Sequence, residues 1–364
     1  MVPFGRHDTT SVVELGARAA VDSLRQLEHR DAIDAVYVGC VHGGSLVGQR
    51  IMRGLGYSGM TITNVENACA SSGTALHLAQ RAVAEGAIDT ALVLGVERLS
   101  VFGGGSLPLS SEEIDTRQGV ILPALYALRA TRYLYETDCT IDDIHDVVVK
   151  NRGNGALNPF AHRQSAVTRG EVAAGRLIAE PLRKDDCCPT SDGAAAIVVS
   201  HKPVAGSTVG IAASVLQGGI RATADASATL FSTAEQAAKL AYDAAGVGPE
   251  DIDIAEVHDA FSVAELLYYE AFGWAKPGEG FALIRDGATR IGGSLPVNPS
   301  GGLLARGHPL GASGVAQVVE MWRQLQGVAG DAQCGAPKVA FCQVSGGGIS
   351  GVDTGTATVH ILSA

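Results

Sequence analysis

Short apolar runs alternate along the chain with stretches of helical period, and this alternation narrows the fold more than any other feature. The runs Ile33–Gly39 (IDAVYVG), Thr90–Gly95 (TALVLG), Ala194–Ser200 (AAAIVVS) and Val339–Val344 read as buried strands, bounded by glycine or polar residues. Between them lie helical stretches at Ser11–Leu27, Ser72–Glu85, Thr233–Ala245 and Gly314–Gln326. Strands that are apolar throughout need cover on both faces, so the expected fold is α/β with largely buried sheets.

The alternation also carries a faint internal repeat. The helix TTSVVELGARAAVDSLRQ leads into AIDAVYVG in the first half, and STAEQAAKLAYDAAG leads into DIDIAEVH in the second. Each half then reaches a reactive residue before a helix: Cys69 before SSGTALHLAQRA, and His308 before GASGVAQVVEMW. A duplicated chain with both elbows pointing into one cleft follows, unless two ordinary helix–strand units merely look alike.

Composition bounds the chemistry. Aromatic residues make up only 5% of the 364, so Ala, Val, Leu and Ile must build the core. The net charge of -11 argues against nucleic acid or an anionic membrane as partner, since both require a positive footprint. A phosphorylated cofactor needs only a few local cations and is not excluded. The seven cysteines are scattered without zinc-ligand spacing, which reads as free thiols in a reducing compartment. No segment has the form of a signal peptide or of a membrane span of ~18 apolar residues, so the expected location is the cytoplasm.

Three residues stand in positions suited to chemistry. Cys69, in NVENACASSGTALHLA, falls at a strand-to-helix junction, where the helix dipole and free amides favour a thiolate. The alternative is a buried cysteine beneath a helix start. His308, in PSGGLLARGHPLGASG, is surrounded by glycines that let backbone and ring approach a ligand, or else it is incidental to a glycine-rich turn. His258, in AEVHDAFS, ends an apolar strand, where ligands gather in α/β folds, or it is a structural histidine. Asp259 either orients His258 or caps the helix that follows. A cysteine with two histidines satisfies the needs of acyl transfer through a thioester without a metal.

These residues belong to an ordered set of stretches: PFGRH, NACASSGTAL, VVVKNRGNGALNPFAHRQ, IAEPLRKDDCCPTSDGAAAIVVS, AEVHDAFS and VNPSGGLLARGHPLGASG. Together they resemble the thiolase superfamily, in particular its sterol-carrier and lipid-transfer-protein branch, over nearly the whole chain. The resemblance implies a thiolase-like fold, with two pseudo-duplicated halves in a five-layered αβαβα arrangement. The halves would span 1–205 and 206–364, with a lid over the acyl pocket at about 101–185. It further implies a homodimer and coenzyme A as co-substrate, with no cofactor bound covalently and no metal. Relatives in the branch often work with a small OB-fold, zinc-ribbon subunit.

By the same resemblance Cys69 is the acyl-accepting nucleophile and His308 the base that activates it. His258 stands where ordinary thiolases carry Asn, and lines an oxyanion hole. The Cys69 amide and one from the Gly346–Gly348 turn, taken as Gly347, form a second hole. Two departures stand out. The family opens with a short apolar strand before its PFGR-like motif, whereas here only Met1 and Val2 precede it, so that strand is lost or the natural start lies upstream. Thiolases also need a second acid/base before the final glycine turn, which in AFCQVSGGGISG falls on Gln343 or Val344, neither of which exchanges protons near pH 7. Cys342 is the nearest candidate, or a core thiol. Adjacent strand residues face opposite ways, so Cys342 and Gln343 cannot both enter the site.

The expected activity is therefore that of a 3-ketoacyl-CoA thiolase on a bulky acyl chain. The alternatives are a thiolase-fold retro-aldolase or C-acetyltransferase on a steroid or aromatic substrate, and a non-catalytic acyl-CoA-binding or lipid-binding subunit.

Overall fold

The structure, a computed structural model, describes residues 1–25, 27, 33–107, 110–204, 206–221 and 227–364. Its strands are β1 (Ala35–Gly39), β2 (Thr61–Val65), β3 (Thr90–Arg98), β4 (Leu177–Ala179), β5 (Leu182–Arg183), β6 (Asp192–Ser200), β7 (Gly210–Gly218), β8 (Ile254–Glu256), β9 (Val339–Gly346) and β10 (Thr356–Ser363). They form a sheet of order β2-β1-β3-β6, a second of order β7-β10-β9-β8, and the small pair β4-β5. In the first sheet β1 runs parallel to β2 and β3, while β6 lies antiparallel to β3. In the second, β10 is antiparallel to both neighbours and β8 is parallel to β9.

Helices fill the space outside and between the sheets. Helix Val12–Leu24 covers the outer face of β3 and β6, and helix Ser232–Ala245 the outer face of β7 and β10. Between the sheets lie helix Ser71–Ala84, against β1 and β3, and helix Ser313–Leu325, against β9 and β6. The result is the expected five-layered α/β sandwich, with the repeat preserved: the two central helices are those that follow Cys69 and His308. The apolar pattern of β3 now has its cause. Leu92, Leu94 and Val96 pack into the outer core with Leu15 and Ile51, while Ala91 and Val93 face the central helices with Ala75, Leu76 and Val315.

The two central helices cross at glycines. A Cβ on Gly314 would stand 2.6 Å from the Gly73 amide nitrogen, and one on Gly73 would run into the Thr358 hydroxyl. Any larger side chain would push the helices apart, and with them the two elbows that they carry.

Three of the four helices lie within one residue of their expected bounds, and the first ends at Leu24, three residues before the expected Leu27; Gln26, within that expected end, is outside the described residues. Strands β2, β7 and β10 were not anticipated. Their sequences, TITNV, GIAASVLQG and TATVHILS, mix polar with apolar residues, yet β10 is buried almost throughout, with Thr358 and His360 inside. Between β3 and β6 the chain forms helices Leu122–Glu136, Ile141–Leu157 and Arg169–Ala173 and the pair β4-β5. Ala127, Ala130, Tyr133, Ile144 and Val148 from this segment share a core with Val263 and Leu266 of the second half. Pro108, Leu109 and Ala205, which fall in the expected lid and at the expected boundary between halves, are outside the described residues.

Candidate active site

Cys69 stands on a strained elbow. Ala68 has φ 49, in the left-handed region that costs an L-residue about 1–2 kcal/mol. Local bonds hold it there. The Ser71 hydroxyl accepts from the Asn67 amide at 2.9 Å and donates to the Ala68 carbonyl at 2.6 Å, while the Glu66 carboxylate accepts from the Ala68 amide at 2.8 Å. The glycine turn after β9 closes from the other side. Gly347 has φ 73, and its amide and that of Cys69 itself act to favour the ionised form of the thiol. A Cβ on Gly346 would strike the Asn67 carbonyl and lie 2.8 Å from the Ala70 Cβ, so the turn and the elbow fit only without a side chain there.

His258 and His308 meet at this sulfur. One donor atom from each of Cys69, His258 and His308 lies within 4.8 Å of the others, and the two imidazoles sit edge to face, with centroids 5.0 Å apart. They are the one group among the described residues that converges closely enough to ligate a metal ion.

Hydrogen bonding distinguishes the two rings. The Ser313 hydroxyl donates its single proton to the Pro309 carbonyl at 3.0 Å, so at 2.7 Å it accepts from His308 Nδ1. That places the His308 proton on Nδ1 and leaves a bare lone pair on Nε2. His258 has a buried Nδ1 with no partner among the described residues, and an orphaned N–H is rarer in proteins than an unmet acceptor. Its proton therefore sits on Nε2. One imidazole offers an acceptor and the other a donor.

All three groups are uncharged at neutral pH. Burial pushes the Cys69 thiol up to about 12, with nearby Glu97 adding to the effect and the two backbone amides opposing it. This corrects the expectation of a thiolate favoured by the helix start: loss of solvent outweighs the dipole. Burial holds His258 down to about 3 and His308 well below its usual value, the neighbouring His258 and Arg306 adding to the latter. Cys69 itself remains partly exposed, which leaves a path for a substrate.

Two buried carboxylates tie the site's loops together, and sequence reasoning missed both roles. Asp259 neither orients His258 nor caps the next helix. It accepts from the amides of Leu303 (2.6 Å) and Leu304 (3.3 Å) and from Asn151 Nδ2 (2.7 Å), binding the His258 loop to the segment that leads to His308. Glu97 accepts from the amides of Val41, His42 and Gly311, binding the loop after β1 to the one after His308. The only sequence signal for either was a charge inside or beside an apolar strand.

The structure does not bring Cys342 to the three. Its side chain lies among Ala316, Met321 and Ala340 between the sheets, and burial holds its thiol well above the usual value. Gln343 points the other way, accepts from the His258 amide at 3.1 Å and donates to Ser345 at 2.8 Å. Gln343 thus anchors His258, and neither it nor Val344 exchanges a proton near pH 7. Beyond it stand aromatic rings: Tyr126 stacks on Phe261 at 4.3 Å and Phe231 on Tyr268 at 4.5 Å.

Comparison with known proteins decides the family. Residues 1–202 match the thiolase N-terminal domain and residues 219–363 the thiolase C-terminal domain-like family. The chain belongs to the thiolase family. It is 37% identical to the benzoylsuccinyl-CoA thiolase subunit BbsB of Thauera aromatica over 356 residues, covering 95% of this chain and 92% of that one. It is 39% identical to an acetyl-CoA acetyltransferase of Methanothermobacter thermautotrophicus over 344 residues, covering 91% and 88%. Sterol carrier protein 2 of Homo sapiens is 33% identical over 352 residues, and the match spans 90% of this chain and 64% of that protein.

Among solved structures the thiolase fold matches an Ltp2-ChsH2(DUF35) aldolase with a TM-score of 0.85 at 22% identity, over 100% of this chain and 95% of that one. Human mitochondrial 3-ketoacyl-CoA thiolase matches with a TM-score of 0.72 at 15% identity, over 100% and 96%. This thiolase is accordingly an acyltransferase, of the acyl-CoA class that uses coenzyme A as co-substrate. No helix among its described residues is long and apolar enough to cross a membrane.

Proposed function

We propose that this thiolase cleaves 3-ketoacyl-CoA thioesters of bulky acyl chains through an acyl-Cys69 intermediate. The observation behind this reading is the convergence of Cys69, His258 and His308 within 4.8 Å, with one histidine poised to accept a proton and the other to donate. Cys69 attacks the keto carbon as its proton passes to His308 Nε2. His258 Nε2–H and the amides of Cys69 and Gly347 are the donors that meet developing oxyanions. The bond between C2 and C3 breaks, the CoA-bearing enolate leaves and takes up the proton, and the thiol of a second coenzyme A then takes the shortened acyl group from Cys69 as its own proton returns to the site. The aromatic rings beside the site, and the name of the Thauera aromatica relative, favour a bulky or aromatic acyl part. Trapping a radiolabelled acyl group on Cys69 by acid quench tests the reading, and undiminished thiolysis by Cys69→Ala would sink it.

One observation favours a second reaction on the same fold. With Gln343 or Val344 at the position of the second acid/base and Cys342 turned into the core, a retro-aldolase or C-acetyltransferase would face different proton demands. A retro-aldol cleavage needs no free coenzyme A, so one β-hydroxyacyl-CoA assayed with and without it separates the two. A silent binding subunit has no use for three converging reactive groups.

The segment at about 101–185 would act as the lid over the acyl chain, and the halves would divide near 205. A homodimer in the cytoplasm is the proposed working form. The names of one relative, a thiolase subunit, and one structural neighbour, an aldolase with a DUF35 protein, support a small partner subunit. A fully active isolated homodimer would rule out an obligate partner.

A further inference from the structure

The fold buries several cations and pairs most of them. Lys150 contacts Glu265 at 2.7 Å, Arg306 contacts Glu256 at 3.1 Å, and Arg152 lies 3.7 Å from Asp185. Arg129, only 6% exposed, has no carboxylate within 4.0 Å among the described residues. Among the described residues its one hydrogen bond runs from Nη2 to the Asp353 carbonyl at 3.3 Å, while Nε and Nη1 are buried without a partner there. The nearby Asp353 carboxylate is already engaged by the Thr233 amide and hydroxyl and by the Thr354 amide. The guanidinium instead lies over the ring of Phe231, 4.5 Å from its centroid, and 5.4 Å from that of Tyr126. Aromatic faces offset part of the lost hydration but accept none of its in-plane N–H groups. Two orphaned donors on a buried cation are costly unless a ligand meets them.

The position says which ligand. Arg129 lies on helix Leu122–Glu136, whose first residue, Leu122, approaches the catalytic turn, its Cδ2 3.8 Å from where a Gly348 Cβ would stand. One turn on, Tyr126 stacks on Phe261 of the His258 loop. Arg129 follows seven residues after Leu122, roughly 10 Å along the helix. We propose that Arg129 binds a carboxylate at the far end of the acyl chain. The substrate is then an acyl-CoA with a carboxylate roughly 10 Å from the reacting carbonyl, and with a body bulky enough to rest on the half-buried Tyr126. The two nitrogens are closed to water in the substrate-free chain, so the carboxylate enters with a shift of the half-buried Tyr126.

This inference rests on the proposed reaction, and the test separates the two. Two 3-ketoacyl-CoA esters, identical but for a terminal carboxylate or its carboxamide, are compared by kcat/KM. The wild type is expected to prefer the carboxylate roughly ten- to hundredfold, the span of a hydrogen-bonded charge. Arg129→Gln should bring the ratio near one, by loss on the carboxylate alone, and Arg129→Lys should fall between. A wild-type ratio of one or below overturns the proposal, as does an equal loss on both esters, which would make Arg129 a structural residue. If neither ester is turned over, the reaction assignment fails. The subsite is then judged by calorimetric binding of the same pair to Cys69→Ala, where equal affinities overturn it. Should Arg129→Gln not fold, the wild-type ratio and Arg129→Lys decide.

Discussion

Replacing Ser313 with alanine tests the assignment of His308 as the proton acceptor. The Ser313 hydroxyl is the only partner of His308 Nδ1 among the described residues, at 2.7 Å, and its own proton is held by the Pro309 carbonyl. Without it the buried imidazole has two choices. Keeping its proton on Nδ1 leaves an unsatisfied donor, at about 1–3 kcal/mol. Moving the proton to Nε2 removes the lone pair that receives the Cys69 proton. Either way the productive form becomes scarcer, and at about 1.4 kcal/mol per tenfold the loss in acyl-enzyme formation is roughly five- to 150-fold. Single-turnover acylation, together with the rate of Cys69 alkylation by iodoacetamide, reads the effect directly. Ser72→Ala serves as the control. Its hydroxyl is equally buried at a central-helix start and accepts from the Val315 amide at 3.1 Å, but touches neither histidine. It should lower stability without slowing alkylation. Acylation within twofold of wild type in Ser313→Ala would refute the tautomer argument.

Gly346→Ala should abolish acylation and lower the melting temperature, because the new methyl group meets the Asn67 carbonyl and Ala70 at the elbow; a folded, fully active variant would show that the turn is slack. Asp259→Asn should cut kcat at least tenfold with little change in KM: an amide nitrogen facing the Leu304 amide or Asn151 Nδ2 loosens the His308 loop without touching substrate. Stability should fall as pH is lowered from about 6.5 toward 3. A histidine whose folded value is depressed to about 3 protonates first in the unfolded chain, so its contribution is complete above 6.5 and lost on acidification. In urea titrations His258→Asn should flatten that slope by on the order of 1.4 kcal/mol per pH unit, and an unchanged slope would place its protonation elsewhere.

The parts legible in the sequence were those where chemistry and period agree. Strand β3 announces itself because both its faces are buried, and the central helices because each follows a glycine-flanked reactive residue. Strand β10 does not, since Thr358 and His360 are polar residues buried by the layers around them, His360 Nδ1 meeting the Ser214 hydroxyl of the adjacent strand, and single-chain polarity reads both as exposed. The site follows the same rule. Cys69, His258 and His308 were found by their neighbours, but their charge states were not, because burial is a property of the assembled layers. Glu97 and Asp259 look like surface acids until their amide partners, far away in sequence, are brought together. Cys342 shows the limit at single-residue resolution: the strand was right, and one step of its alternation separates a site residue from a core thiol.

The neutral resting site and the turning of Cys342 into the core lead to one more expectation. A preformed imidazolium–thiolate pair would cost several kcal/mol in surroundings this dry, so proton transfer from Cys69 to His308 accompanies attack on the carbonyl and does not precede it. After attack the proton on His308 Nε2 is the one at hand for the enolate that leaves, which returns the imidazole to its neutral form. The same lone pair then takes the coenzyme A proton. One histidine can thus serve both half-reactions, with Gln343 confined to holding His258. The free protein has no group in this set that ionises near pH 7: the histidines lie well below, and Cys69 near 12. The rate of acyl-enzyme formation without free coenzyme A should therefore be flat from about pH 6 to 9 and fall only on the acid side, as His308 protonates. Single-turnover measurement over that range checks it. A bell with an alkaline limb between pH 7 and 9 would mean that a second acidic group enters the chemistry, and would restore a two-residue mechanism.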